Sequence, residues 1–179
     1  MYTNPAPIEE LMEAIDYKLN EQFEMAINSS VEVLWQPDNV TADMTPPEIY
    51  QKYILPFYKK RGEQCRKAGK KYIIHMDGRI NALKELIAET PFDAIDSFSF
   101  GEMAGDVSID TARKLWKDKV LCPNFPASLC EVDEETIISF LKEKAVEFGD
   151  MPYMMQISED IPIDSYRKIL PLLTDFYNK

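Results

Sequence analysis

The strongest constraint on the fold of this chain is an alternation. Short apolar runs recur between longer amphipathic segments from one end to the other: Val31–Trp35, Lys71–His75, Ala94–Phe98, Lys119–Cys122 and Pro152–Ile157. They begin roughly 25 to 40 residues apart, the spacing of βα units that build a parallel sheet. The helical segments between them carry their own signals. Ile8, Leu11, Met12, Ile15, Leu19, Phe23 and Ala26 recur at helical spacing over residues 7–28. Thr45-Pro-Pro-Glu48 reads as a capping box, and the helix it opens runs to Gly69 with Pro56 as an expected kink. Ser108, Asp133 and Asp164 are expected caps further on, and Pro171 an expected bend in the last helix.

Composition narrows the function classes. The chain has 179 residues and a formal net charge of −11, so its surface repels a phosphate backbone and nucleic acid is not an expected partner. No apolar run is long enough for a membrane span, and Met1-Tyr-Thr-Asn-Pro lacks the basic start of a signal peptide. Three cysteines without C-x-x-C spacing predict thiols rather than disulfides, and a reducing cytoplasmic setting. Neither G-x-G-x-x-G nor G-x-x-x-x-G-K-[ST] occurs, so the usual phosphate loops are missing. With no Gly/Ser-rich linker, residues 1–179 read as a single domain.

The expected fold class is α/β with about five parallel strands. Since a closed (β/α)8 barrel takes eight strands and about 250 residues, the sheet is either open and doubly wound or part of a barrel. In both cases ligands sit beyond the carboxyl ends of the strands. The polar residues there are Gln36, Asp38 and Asn39; His75 and Asp77; Ser97, Ser99, Glu102 and Asp106; Asn124 and Ser128; and Ser158, Glu159 and Asp160. His75, the only histidine, and Asp77 stand two apart, which turns both side chains to one side of a strand. With Glu159 they would make a one-imidazole, two-carboxylate metal site suited to zinc or another divalent ion. Spacing leaves other readings open: a hydrogen-bonded structural histidine, a metal-free acid/base pair, or a polar turn at Asp77-Gly78.

The segments T-P-P-E-I-Y-Q-K-Y-I-L-P-F-Y (45–58), A-G-K-K-Y-I-I-H-M-D-G-R (68–79), D-A-I-D-S-F (93–98), D-K-V-L-C-P-N-F-P-A-S-L (118–129) and I-S-E-D-I-P (157–162), in that order, resemble the C-terminal half of the uroporphyrinogen decarboxylase superfamily. That superfamily includes the methylcobamide:coenzyme M methyltransferases, and the similarity runs over about residues 5–178. The resemblance implies a partial (β/α)8 barrel of the TIM type. It also implies metal-dependent methyl transfer to or from a corrinoid carried by a separate protein, with a small-molecule substrate. The methyltransferase branch binds zinc through an H-x-C pair and a later Cys. By alignment His75 keeps the first position, Asp77 stands at the first Cys, and Glu159 at or next to the second. These harder donors imply a more Lewis-acidic centre, suited to an oxygen-bearing methyl donor or a water rather than to a thiol. Asp38, Asn124, Asp160 and Arg79 are then expected to line the substrate pocket. Two other readings remain: a non-catalytic or incomplete barrel module, working only as a homo-oligomer or beside a complementing half-barrel chain, and uroporphyrinogen decarboxylation itself. The last is disfavoured, because the arginines that hold the tetrapyrrole carboxylates belong to the N-terminal segment of the family barrel.

Overall fold

The computed structural model describes residues 4–101, 105–157 and 161–178. Helix α1 (Ala6–Ile27) precedes strand β1 (Val33–Gln36). A helical run follows, made of α2 (Pro47–Ile49), a π-helical turn (Tyr50–Ile54) and α3 (Leu55–Lys67). Strand β2 (Lys71–His75), α4 (Lys84–Ala88), β3 (Ala94–Phe98), α5 (Ile109–Leu115), β4 (Val120–Pro123), α6 (Glu134–Phe148) and α7 (Tyr166–Tyr177) complete the main elements.

Local chemistry accounts for most boundaries. Ser108 and Asp133 accept the N–H groups of Thr111 and Thr136 and so open α5 and α6 as expected. Gly69, at φ +68°, supplies the left-handed residue that ends α3. The expected cap at Thr45 does not form: Pro46, which has no side-chain acceptor, is the N-cap and Pro47 the first helical residue. Asp164 likewise does not cap; it sits in a 3-10 turn (Ile163–Ser165) ahead of α7. Pro56 has no N–H for the carbonyl four residues back. The chain widens into the π turn just before it, and Leu55 N–H reaches Tyr50 O instead.

The four strands are parallel and lie in the order β1-β2-β3-β4. The order never reverses. Right-handed crossovers between strands laid down in sequence put every connecting helix on the same face, whereas a doubly wound sheet needs a reversal. The sheet is therefore an arc of a (β/α) barrel, and it is not closed. The fifth expected strand runs beside β4 as two parallel bridges, Leu121–Tyr153 and Asn124–Gln156, rather than a regular ladder.

Alternation along the strands divides the residues. Tyr72, Ile74, Ile95 and Leu121 are buried in the core shared with the helices. Ile73, His75 and Asp96 face the other way, together with Val33 and Trp35, which remain 49% and 56% exposed. A smaller core between α6 and α7 holds Ile137, Leu141, Ile169 and Leu173.

Helix α1 buries no residue completely and is tied to the following helical run by polar contacts, one of which reaches a buried group. The guanidinium of Arg61, 1% exposed, lies over the rings of Phe23 (4.6 Å) and Phe57 (5.1 Å) and donates to Asp16 Oδ1 of α1 at 2.7 Å. Lys60 bonds the second oxygen of Asp16. That hydrogen bond and the Arg61 charge outweigh burial and hold the Asp16 carboxyl below its ordinary value of 3.8. The contribution is present above the ordinary value and disappears as pH falls through the lowered one. Asp16→Asn is expected to destabilise the protein by about 1–2 kcal/mol at neutral pH, the cost of removing the opposing charge from a buried guanidinium discounted for Asp16's partial exposure. The difference from wild type should be constant above the ordinary carboxyl value and shrink as pH falls below it, read by thermal unfolding from pH 7 into acid; a difference that does not shrink would remove the ion pair from the account.

Candidate functional site

The parallel register sets His75, the last residue of β2, beside Asp96 of β3. His75 Nδ1 is 2.8 Å from Asp96 Oδ2, and the same oxygen accepts the Trp35 indole N–H at 2.9 Å. Trp35 stands edge-on to the imidazole, with ring centroids 6.0 Å apart. With the carboxylate as acceptor, Nδ1 is the protonated nitrogen and Nε2 is the one that carries the lone pair. The His75 and Asp96 side chains are 23% and 18% exposed, sheltered but reachable.

Asp77 is held separately. It follows the strand end, accepts the Ser99 hydroxyl at 2.7 Å and precedes Gly78, whose φ of +80° turns the chain. The sequence pairs His75 with Asp77; in the structure each takes a partner from the β3 segment, Asp96 and Ser99. His75 is thus a hydrogen-bonded histidine at the strand end, and Asp77 opens a polar turn. Among the described residues no three His, Cys, Asp or Glu side chains group to hold a metal. Glu159, the third ligand expected from sequence, and Asp160 lie outside the described residues.

A register shift between Asp96 and Phe98 bulges β3 and puts Ser97 at φ +58°. That left-handed conformation is uncommon for a non-glycine residue, and bulges of this kind re-aim side chains. Ser97 Oγ accepts from Gln156 Nε2 at 3.2 Å, and the same amide donates to Asn124 Oδ1 at 2.9 Å. Asn124 thus joins a polar cluster at the strand ends.

Two other expected pocket residues lie elsewhere. Asp38 accepts from Tyr58 OH and Gln36 Nε2, each at 2.8 Å. Gln36 is one residue out of phase with Trp35 and bonds Tyr72, so Asp38 belongs to the helix-covered side and is not brought to His75. Arg79 is 65% exposed, 3.9 Å from both Asp43 and Asp106. Asp106 also accepts the backbone N–H groups of Ile80 and Asn81, which steadies the loop after β2.

Sequence reasoning missed Asp96 and Trp35. The signal was there: A-I-D-S-F places one carboxylate inside an otherwise apolar strand, and a half-buried charge demands a partner. Only the register says that the partner is His75.

A family-wide profile, Uroporphyrinogen decarboxylase (URO-D), matches residues 1–165. The chain belongs to the URO-D family. No curated protein matches the sequence. Among solved structures, a methyltransferase from Methanosarcina mazei superposes with a TM-score of 0.60 at 18% identity, over 83% of this chain and 43% of that one. At that identity the likeness concerns the fold, and this URO-D chain spans less than half the length of its structural relative.

One thiol of the URO-D chain borders the site. Cys122 of β4 pairs in register with Asp96, and burial first, then the Asp96 charge, push its thiol up to about 11. At pH 8 its thiolate is about 100-fold scarcer than that of an ordinary cysteine. Asp96→Asn removes the smaller of the two causes, so iodoacetamide should label Cys122 severalfold faster in that variant, as read by peptide mass mapping at pH 8. An unchanged rate would mean that the Asp96 charge does not reach the thiol.

Proposed function

We propose that the chain is a metal-dependent methyl-transfer protein of the URO-D family, acting with a corrinoid carried by a separate protein. The observation that carries the reading is the bond from His75 Nδ1 to Asp96, which fixes the imidazole and keeps the lone pair on Nε2. Metal-ligating histidines are held this way by a carboxylate behind the ring. The donor types fit a divalent ion: an imidazole nitrogen and, on Asp77, the oxygen that Ser99 does not occupy. Glu159 is the proposed third donor. Bound there, a divalent ion supplies Lewis acidity toward an oxygen-bearing methyl donor or a water.

The chain's own groups then have defined tasks. Asp96 fixes the tautomer and orientation of His75, and Trp35 shares the carboxylate and screens it on one side. Ser99 fixes Asp77. The Ser97–Gln156–Asn124 cluster presents amide and hydroxyl groups at the same end of the strands, able to orient a small polar substrate. Wild-type protein supplied with zinc or ferrous iron is expected to retain about one ion per chain, by elemental analysis after desalting. His75→Ala and Asp77→Ala should lose it, and Asp96→Asn should bind about 10–100-fold more weakly. Metal-free wild-type protein after that treatment would end the proposal.

A second reading has its own observation. Val33 and Trp35 are about half exposed on the uncovered sheet face, in β1, whose outer edge is unpaired among the described residues. Such a surface suits a module that works inside an assembly, as a homo-oligomer or with a chain that supplies further strands. Light scattering at micromolar concentration is expected to show a dimer or larger species. A stable monomer would count against the module and leave the metal experiment untouched.

A further inference from the structure

On the far side of the sheet from His75, a cavity of about 790 Å³ opens between α1, the segment after β1 and the run from the π turn into α3. Its size falls in the range of small-molecule sites, and its walls are largely apolar, with Met12 and Leu19 of α1 facing Phe57 and Tyr58 of α3. The charges around it are unevenly matched. Glu9 is bonded by Lys52 and Tyr53, and Asp16 by Lys60 and Arg61. Those pairs neutralise both lysines of the lining. Glu13 and Asp38 remain, and no cation pairs with either among the described residues.

Asp38 is held by neutral donors alone, the hydroxyl of Tyr58 and the amide of Gln36. Its geometry is fixed while its charge is uncompensated. Aromatic rings at this end of the molecule already carry cations on their faces: Lys52 lies 4.7 Å from the Tyr53 centroid, and Arg61 lies over Phe57. An apolar cleft with aromatic walls and one oriented, unneutralised carboxylate selects an amphiphilic cation. A neutral ligand leaves Asp38 unpaired, and an anion is repelled.

We propose that this cavity is a second binding site, for an organic cation with an apolar or aromatic body, its ammonium or comparable group seated against Asp38. The site is distinct from the His75 centre, on the opposite face of the sheet, and its occupancy does not depend on a metal there. A ligand wedged between α1 and α3 joins the loosely docked helix to the barrel arc, so binding should also raise thermal stability.

Titration calorimetry with 2-phenylethylammonium tests it against two near-isosteres, neutral 2-phenylethanol and anionic phenylacetate. The expected result is saturable binding of the cation, at least tenfold tighter than the alcohol, with no binding of the anion. Asp38→Asn, which can still accept the Tyr58 hydroxyl, should weaken the cation at least tenfold and leave the alcohol unchanged. Met12→Trp, which fills the space from α1, should abolish both, while His75→Ala should bind like wild type. Equal affinity for all three probes, cation binding indifferent to Asp38→Asn, or no saturable binding of the cation would each overturn the proposal. Loss of binding in His75→Ala would place the cation on the other face and overturn it too. None of these results bears on metal retention at His75.

Discussion

The rest of this structure depends on one topological constraint: strands laid side by side in sequence order. With right-handed connections, that order sends every helix to the same side of the sheet. One face then becomes a core, packed by Tyr72, Ile74, Ile95 and Leu121. The other receives residues that could not have been buried cheaply, an imidazole, a carboxylate and an indole N–H. His75, Asp96 and Trp35 satisfy one another there, three consecutive strands contributing one side chain each. The imidazole is thus carried on regular elements, whose geometry is more exact than that of a loop.

The two sides of the sheet separate two kinds of chemistry. Toward the uncovered side, hydrogen bonds fix the tautomer of a histidine and the orientation of Asp77, Asn124 and Gln156. Toward the helices, burial dominates: Tyr58 and Tyr72 are pushed far above the ordinary phenol range, first by burial and then by the nearby Asp38 charge, so both stay protonated and act as donors. Asp38 lies at the edge of this second environment. Its bond from Tyr58 explains why a residue just beyond β1 faces away from the strand-end histidine.

Family membership and geometry support different parts of the functional reading. The match over residues 1–165 gives the family, and the Methanosarcina methyltransferase shares the fold. Neither names a substrate for this chain. The proposed chemistry rests on the Asp96-held imidazole of His75 and the hard oxygen donor of Asp77, in place of the thiolates that the resemblance associates with thiol methylation.

The sequence by itself determined the elements and their order. Hydrophobic period, Ser108 and Asp133 at helix starts, and Gly69 at a helix end are local signals, and local hydrogen bonding realises them. It also marked His75 and Asp77 as strand-end groups. Tertiary structure decided who partners whom. Strand register brings Asp96 to His75 over a separation of 21 residues and Trp35 to Asp96 over 61. Register is a property of neighbouring strands, and no spacing within one segment encodes it. The same reason applies to Asp38: which face it joins follows from the phase of β1 against the helices, and that phase exists only once the sheet has formed.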